Sequence, residues 1–135
     1  MERLDKKMKS TDKLVILVAD DSDINQILIK FILSKLGHTV YVASNGLECI
    51  EMFRKKNFDL ILMDLQMPIM CGYEATNNIR NIENSENLKR TPIIAVTANA
   101  DIEKCEDVDM DGLIEKPFNI EKFNNILKKL NHELD

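Results

Sequence analysis

Acidic side chains follow two short apolar segments of the chain, and they are the first residues whose types suggest chemistry. Asp20 and Asp21 come directly after LVILVA, and Asp64 comes directly after LILM. Clustered carboxylates repel one another unless a cation or a proton lies between them. A hard divalent ion with oxygen ligands, Mg²⁺ above all, is the simplest way to hold three of them together. If the fold brings the two segments side by side, the sequence predicts a magnesium site.

A hydroxyl and an ammonium end two further apolar segments. Thr97 follows PIIAV, and Lys116 follows GLIE and precedes Pro117. A lysine adds nothing to metal binding alone, but it suits a site that also receives an anion such as a phosphoryl group. Phosphoryl transfer needs in-line positioning and neutralisation of charge on the equatorial oxygens, which a metal, an ammonium and a hydroxyl supply. Taken singly, these residues also have plain structural interpretations, because aspartates cap helices and most lysines are solvated.

The apolar segments alternate with stretches of helical periodicity. LVILVA and LILM are continuously apolar, which is typical of strands covered on both faces. The alternation predicts an α/β fold with a doubly wound parallel sheet, in which ligands bind beyond the carboxyl ends of the strands. The predicted strands are 14–19, 39–43, 58–63, 92–96 and 112–115, and the predicted helices are 24–36, 46–56, 73–83, a short one near 101–108, and 120–131.

Length and composition predict one domain at residues 14–132, after a tail or linker at residues 1–13. The chain has 135 residues, 44% of them apolar, which is enough for a single core. Its formal charge is −5, and an acidic body argues against direct nucleic-acid binding. No apolar run reaches the roughly 20 residues of a membrane span. Cys49, Cys71 and Cys105 form no CxxC pair, which favours a reducing, cytoplasmic setting.

Four segments resemble the receiver (response-regulator) domain of two-component signalling: VILVADDSDIN, DLILMDLQMPIMCGYEATNNIR, PIIAVTANA and MDGLIEKPF. They occur in the family's order and extend over nearly all of residues 14–131. The sequences around LMDLQMP, GYEAT and TANA most resemble those of receivers attached to hybrid histidine kinases. The resemblance implies a flavodoxin-like (CheY-like) five-stranded sheet, (βα)5, with strand order 2-1-3-4-5. It also implies a phosphorylation switch in a two-component system or phosphorelay.

The resemblance implies a chemical role for the acidic residues and the lysine. Asp64 would be the phosphoacceptor, attacking the phosphorus of a donor phosphohistidine. Asp20 and Asp21 would hold Mg²⁺ together with the Asp64 carboxylate and the backbone carbonyl of Gln66. Lys116 would pair with a phosphoryl oxygen. The peptide bond between Lys116 and the proline after it is expected to be cis, a geometry confined almost entirely to X–Pro.

The resemblance also implies residues that switch the domain or tune it. Thr97 would donate its hydroxyl to a phosphoryl oxygen and move on activation. Gln66 and Asn99 lie beside the expected path of attacking water, so they are predicted to tune the lifetime of the phosphorylated state. Leu113 stands where many relatives place a mobile aromatic, so a different output surface is expected.

Two departures from the family pattern lie in loops. The stretch between Thr97 and Lys116 is about one helical turn shorter than usual, so the helix near 101–108 should be stunted. Cys71 replaces an acidic residue in the loop after Asp64, which should leave the chemistry intact.

The implied partner is a histidine kinase or a histidine phosphotransfer protein, with no direct binding of nucleic acid or membrane. No independent turnover enzyme is expected, only self-phosphorylation and autodephosphorylation, although the chain could be the receiver part of a hybrid kinase. A monomer is favoured. His38 and His132 are expected at the surface, so the chain has no evident phosphohistidine of its own.

Three other classes of protein share parts of this pattern. A pseudo-receiver that acts as an interaction module without phosphorylation is the main alternative, but it usually loses part of the acidic set or the lysine. An aspartyl-nucleophile phosphohydrolase generally places a second Asp two positions on, where this chain has Gln66. A flavin-binding module needs a Ser/Thr/Gly-rich phosphate loop after its first strand, where DDSDIN stands.

The first predicted helix carries two apolar strips. The residues expected to face the sheet are Ile24, Ile27, Leu28, Phe31 and Ile32. Ile29, Leu33 and Leu36 form the second strip, which either docks the helices of a histidine-bearing partner or is an ordinary wide core face.

Overall fold

A computed structural model describes residues 13–98 and 108–134 of the chain. The predicted tail before residue 13, Asn99, and residues 101–107 of the predicted short helix lie outside the described residues. The predictions made for them therefore stay predictions.

Five parallel strands form one sheet in the order β2-β1-β3-β4-β5. The strands are β1 (Val15–Ala19), β2 (Thr39–Ala43), β3 (Leu60–Met63), β4 (Ile93–Thr97) and β5 (Gly112–Glu115). The described helices, numbered in chain order, are α1 (Asp23–Lys35), α2 (Gly46–Lys55), α3 (Gly72–Ser85) and α4 (Ile120–Leu134). This order confirms the predicted flavodoxin-like, doubly wound α/β fold.

Helices cover both faces of the sheet, which explains why the central strands are apolar throughout. On one face, a core cluster joins Leu33 of α1 and Phe123 of α4 to Ile16 of β1. On the other face, a second cluster joins residues of α2 and α3, Ile79 among them, to Leu17 of β1. Neighbouring strand residues fall into different clusters because successive side chains point to opposite faces. Each buried side chain of this size contributes about 1.5–3 kcal/mol, so the sheet is a rigid platform for the residues at its edge.

Capping side chains begin the helices directly after the strand ends. Ser22 Oγ accepts a hydrogen bond from the Asn25 N–H at 3.3 Å, and Asn45 Oδ1 accepts one from the Glu48 N–H at 2.8 Å. These bonds satisfy N–H groups that have no partner inside their helix. At the other end of α1, Gly37 has φ of +94°, the left-handed conformation that glycine adopts without steric cost. The polar connections at the carboxyl ends of β1 and β2 are therefore short and fixed.

The face of α1 that packs on the sheet differs from the prediction. Ile29 and Leu33 are buried, and Ile32 and Leu36 pack against the same core cluster. The strip considered as a docking surface is therefore core. Four of the five residues expected to face the sheet are exposed instead: Ile24 by 77%, Ile27 by 69%, Phe31 by 60% and Leu28 by 42%.

Periodicity alone could not choose between these two strips. Both follow the i, i+3, i+4 spacing of a helix face, and a helix with apolar residues on both sides gives no clear polar side. Tertiary contacts determine which of the two strips packs on the sheet. Gln26, one turn before Ile29 on the buried side, donates from Nε2 to the Asp20 carbonyl at 2.5 Å and to Ser44 Oγ at 3.2 Å. These bonds fix the rotation of α1 about its axis.

His38 is buried, so the prediction that it lies at the surface is wrong. Its Nδ1 accepts a hydrogen bond from the Leu14 N–H at 3.0 Å, and its ring packs edge-on against Phe123 with centroids 5.8 Å apart. Burial lowers the pKa of His38, and the charge of Lys13 lowers it further. A neutral ring is needed here, because a protonated Nδ1 cannot accept the Leu14 bond.

Candidate functional site

Strand register brings Asp20 and Asp64 to the same edge of the sheet, the one formed by the carboxyl ends of its strands. β1 and β3 are neighbours, with Ala19 opposite Met63, and each aspartate is the next residue of its strand. The Asp64 N–H donates to the Ala19 carbonyl at 2.9 Å, and the Asp20 N–H donates to the Ala43 carbonyl at 3.0 Å. Because these hydrogen bonds hold the backbone of both residues, their side chains extend from fixed positions at the strand ends.

Three carboxylates meet at this edge. Ligand atoms of Asp20, Asp21 and Asp64 lie within 4.8 Å of one another. Asp20 and Asp64 are buried and Asp21 is exposed. Asp20 Oδ2 is buried and accepts no well-aligned hydrogen bond from any part of the chain that the structure describes. Buried carboxylates this close together, one oxygen of them without a hydrogen bond, suit a hard divalent cation.

Lys116 supplies positive charge to the buried pair. Its Nζ lies 3.1 Å from Asp20 Oδ2 and 3.1 Å from Asp64 Oδ2. Its backbone N–H donates to the Thr97 carbonyl at 2.9 Å, which fixes the lysine to the end of β4. The peptide bond between Lys116 and Pro117 is cis, the conformation that the resemblance implied.

Burial and neighbouring charges together shift the pKa values of Asp64 and Lys116. Burial raises the pKa of Asp64, and the Gln66 N–H and the Lys116 ammonium oppose that rise without cancelling it. For Lys116, burial lowers the pKa, but the negative charges of Asp20 and Asp64, each 3.1 Å from its ammonium, outweigh burial and raise it. Lys116 is therefore a cation at neutral pH. Shifted pKa values of neighbouring buried groups are typical of functional sites.

The remaining predicted residues lie around this group. Thr97 is buried at the last position of β4 and lies opposite Glu115 in the sheet register. The Gln66 N–H donates to Asp64 Oδ1 at 3.1 Å. Leu113 is half-buried on β5, opposite Ala95. The roles assigned to these residues stay predictions.

The segment after Asp64 turns tightly back toward α3. The Met70 N–H donates to the Pro68 carbonyl at 2.7 Å, a three-residue turn whose central residue, Ile69, has φ of +70°. A β-branched residue rarely adopts this conformation, so the turn is strained. A Cβ atom on Gly72 would lie 2.2 Å from the Asp64 carbonyl oxygen, so only glycine fits there. The loop therefore packs directly on the backbone of Asp64.

Sequence reasoning missed a partly buried ionic network at the amino-terminal ends of β4 and β5, on the far side of the sheet from Asp64. Arg80 of α3 forms ion pairs with Glu83 at 2.8 Å and Asp111 at 3.1 Å. Arg90 pairs with Asp111 at 2.7 Å and with Asp109, whose pKa this pairing lowers. The i, i+3 spacing of Arg80 and Glu83 was the available signal, but such pairs are usually solvated. The Arg80–Glu83 pair differs from these because both of its side chains are buried, 9% and 4% exposed.

The chain belongs to the response regulator receiver domain family, which its sequence matches over residues 16–128. Hybrid signal transduction histidine kinase G of Dictyostelium discoideum is 37% identical over 131 residues, which cover 93% of this chain and 4% of that protein. The hybrid signal transduction protein dokA of the same organism is 40% identical over 119 residues, 88% of this chain and 7% of that protein. The chain thus spans only a small part of the length of these relatives.

Solved receiver domains share the fold. One, from a sensor histidine kinase of Pseudomonas aeruginosa PAO1 with a magnesium ion in its active-site cleft, has a TM-score of 0.78 and 34% identity, covering 90% of this chain and 99% of that one. Another is the receiver domain of the response regulator Ssk1, in complex with the histidine phosphotransfer protein Ypd1 of Saccharomyces cerevisiae. It has a TM-score of 0.82 and 26% identity, covering 89% of this chain and 90% of that one.

These findings define the chain as a receiver domain of the two-component and phosphorelay type. In the residues that the structure describes, no helix is both long enough and apolar enough to cross a membrane. The predicted boundaries at residues 1–13 and 14–132 and the cytoplasmic location stay predictions.

Proposed function

We propose that Asp64 accepts a phosphoryl group from a phosphohistidine and that the resulting acyl phosphate switches the conformation of the domain. The observation that carries this proposal is the position of Lys116 Nζ, 3.1 Å from both the Asp20 and the Asp64 carboxylates. Asp21 adds a third carboxylate within 4.8 Å. The arrangement combines a nucleophile, a cation and oxygen ligands for a metal at one strand edge.

In the proposed step, an oxygen of the Asp64 carboxylate attacks phosphorus and forms a P–O bond. The P–N bond of the phosphohistidine breaks, and its electron pair stays on the imidazole nitrogen, which leaves as neutral imidazole once it has gained one proton. The Gln66 N–H holds one oxygen of Asp64 and the Lys116 ammonium holds the other, so the carboxylate is oriented before the donor arrives. Positioning of this kind is the main contribution of a protein to phosphoryl transfer.

Mg²⁺ is the metal that these residues fit best. Asp20, Asp21, Asp64 and the backbone carbonyl of Gln66 would hold it, and the buried Asp20 Oδ2, which has an ion pair with Lys116 but no hydrogen bond from the described residues, would gain a metal ligand bond. When bound, Mg²⁺ neutralises charge that develops on the phosphoryl oxygens. Lys116 would move from the Asp64 carboxylate to a phosphoryl oxygen after transfer.

The switch is proposed to run through Thr97 and Leu113. Thr97 is buried at the end of β4, so a hydroxyl that turns toward the phosphoryl group leaves space beside β5. Leu113 is half-buried on that strand and can change rotamer. Gln66 and Asn99 are proposed to tune the lifetime of the acyl phosphate. Equal dephosphorylation rates in wild type, Gln66→Ala and Asn99→Ala would end that part of the proposal.

Intact mass after incubation with acetyl phosphate and Mg²⁺ tests the phosphoacceptor. We expect one added phosphate on wild type and none on Asp64→Asn, with a much slower reaction when Mg²⁺ is replaced by EDTA. Glu51→Gln is the control, because Glu51 is an exposed acid of α2. An unmodified wild type, or a phosphate retained in Asp64→Asn, would refute the assignment. The former result would favour the pseudo-receiver.

The exposed strip of α1 is the proposed docking surface for the phosphodonor. Ile24, Ile27, Leu28 and Phe31 lie on a helix that begins two residues after Asp21, so a partner seated there is close to Asp64. The partner we propose is a histidine kinase or a histidine phosphotransfer protein, which would pack one of its helices on this strip. The relatives that include hybrid histidine kinases, and the solved Ssk1–Ypd1 complex, support this choice.

Replacing Phe31 with glutamate should separate docking from chemistry. Transfer from a phosphorylated histidine phosphotransfer protein should slow about tenfold or more, because a large central apolar side chain often carries about 2 kcal/mol of binding. Labelling by acetyl phosphate should not change. Leu88→Glu is the matched control. Leu88 is 48% exposed, but it lies in the segment that leads into the amino-terminal end of β4, away from Asp64. Equal slowing by both variants would dismiss the strip as the docking surface.

A further inference from the structure

Lys122 reaches from the first turn of α4 to the backbone on both sides of Lys116. Its Nζ donates to the Glu115 carbonyl at 3.0 Å and to the Pro117 carbonyl at 3.1 Å. These two carbonyls flank the residue whose ammonium contacts Asp20 and Asp64. One side chain therefore joins α4 to the point where the chain leaves β5.

Among the described residues, the backbone at this point has few other hydrogen bonds. Among the described strands, β5 pairs with β4 alone, so it is an edge strand. The Lys116 N–H bond to the Thr97 carbonyl, at 2.9 Å, is the contact with β4 just after β5 ends. The two bonds from Lys122 hold the carbonyls on both sides of Lys116, and the buried Phe118 follows one residue after Pro117.

The beginning of β5 is fixed without Lys122. Asp111, the residue before β5, accepts hydrogen bonds from the Ile93 N–H at 2.8 Å and from Arg80 Nη2 at 3.1 Å. Loss of Lys122 should therefore free only the end of the strand that carries Lys116.

Helix stability does not explain a lysine at this position. The first turn of a helix is its positive end, where a cation is unfavourable. The cap is made by Asn119, whose Oδ1 accepts from the Lys122 N–H at 2.8 Å, so the ammonium is not needed there. The ammonium instead donates to two backbone carbonyls, that of Glu115 at the end of β5 and that of Pro117 just after the strand.

We propose that Lys122 is a positioning residue, which holds the backbone around Lys116 so that the Lys116 ammonium stays aimed at Asp64. This inference rests on the function proposed above, in which Lys116 pairs with the phosphoryl group. Lys122 acts through Lys116 and touches neither the aspartates nor the phosphoryl group.

Initial rates of phosphorylation by acetyl phosphate with Mg²⁺ test this proposal. Lys122→Met should slow the reaction about three- to tenfold, because misplacement of a catalytic group by about 1 Å can cost about 100-fold and the remaining bond from the Lys116 N–H to Thr97 limits the shift to less than that. Lys122→Arg should restore the rate to within about twofold, because a guanidinium can also donate to two carbonyls. Lys128→Met is the matched control for loss of charge on α4, as Lys128 is exposed on the same helix.

A double-mutant cycle shows whether Lys122 acts through Lys116. In a Lys116→Met background, Lys122→Met should cause no further slowing. A rate for Lys122→Met equal to that of Lys128→Met, or an equal effect in both backgrounds, would overturn the proposal. If Lys122→Met does not fold by circular dichroism, Lys122→Gln replaces it under the same criteria. A wild type that takes no phosphate would instead refute the proposed function itself.

Discussion

Replacing Arg80 with methionine should destabilise the protein far more than replacing a surface arginine. The Arg80 side chain is only 9% exposed. It donates to Glu83 Oε1 and to the Thr91 carbonyl at 2.8 Å each, to the Asp109 carbonyl at 2.9 Å and to Asp111 Oδ2 at 3.1 Å. This one side chain joins α3 to the segments that lead into β4 and β5.

The size of the effect follows from what the substitution leaves behind. Glu83 is 4% exposed and keeps the Thr91 N–H as a donor at 2.7 Å, but it loses its cation. Removal of one partner from a buried ion pair costs about 3–5 kcal/mol, because the other charge stays buried. Methionine keeps most of the apolar stem, so loss of packing adds little. We expect a loss of about 3–5 kcal/mol.

Arg54→Met is the matched control. Arg54 pairs with Glu86 at 3.1 Å, but their side chains are 53% and 48% exposed. Exposed pairs contribute about 0–1 kcal/mol, so this variant should unfold almost as wild type does.

Urea unfolding followed by far-UV circular dichroism measures both variants. The comparison requires equal m values, since a changed m value would mean changed compactness. Adding Glu83→Gln to Arg80→Met should recover part of the loss, because it removes the stranded charge. The reasoning fails if Arg80→Met unfolds within about 1 kcal/mol of Arg54→Met.

Two further predictions concern the metal site and the buried histidine. Mg²⁺ at about ten times its dissociation constant should raise the free energy of unfolding by about 1.4 kcal/mol. Asp21→Asn removes the exposed carboxylate of the proposed metal site and should abolish this gain, and an equal gain in that variant, measured by urea unfolding, would contradict the proposed site. For His38, burial and Lys13 lower the folded-state pKa below its ordinary value of 6.5, so the unfolded chain binds the proton first as pH falls. Its contribution to stability is therefore complete above about pH 6.5 and is lost as pH falls below that value, with a slope of up to about 1.4 kcal/mol per pH unit. His38→Asn, which retains an acceptor for the Leu14 N–H, should flatten this slope between pH 5 and 7, and unchanged slopes would show that another group titrates.

The strands were predictable because their signal is local. β1 and β3 are continuously apolar, and each is followed by an aspartate, so both the burial and the strand end could be read from neighbouring residues. The expectation that Asp20, Asp64 and Lys116 meet then needed only the parallel order of the sheet. The observed register brings them within hydrogen-bonding distance.

The rotation of α1 was not predictable in this way. Its two apolar strips satisfy the same periodicity, and four of the five residues in the larger strip proved to be exposed. The bonds that decide between them join Gln26 to Asp20 and to Ser44, which lies 18 residues further along the chain. No window on the helix alone contains that information.

The sequence by itself determined the order of strands and helices, the apolar strands, and which acidic and basic side chains stand at the strand ends. These depend on hydrophobic pattern and on the geometry of a parallel sheet, which act over a few residues at a time. Only the tertiary structure decided which strip of α1 faces solvent, that His38 is buried, and that Arg80 and Lys122 hold the two ends of β5. Most of these depend on groups far apart in sequence, and the burial or hydrogen bonding of all of them exists only once the helices have packed on the sheet.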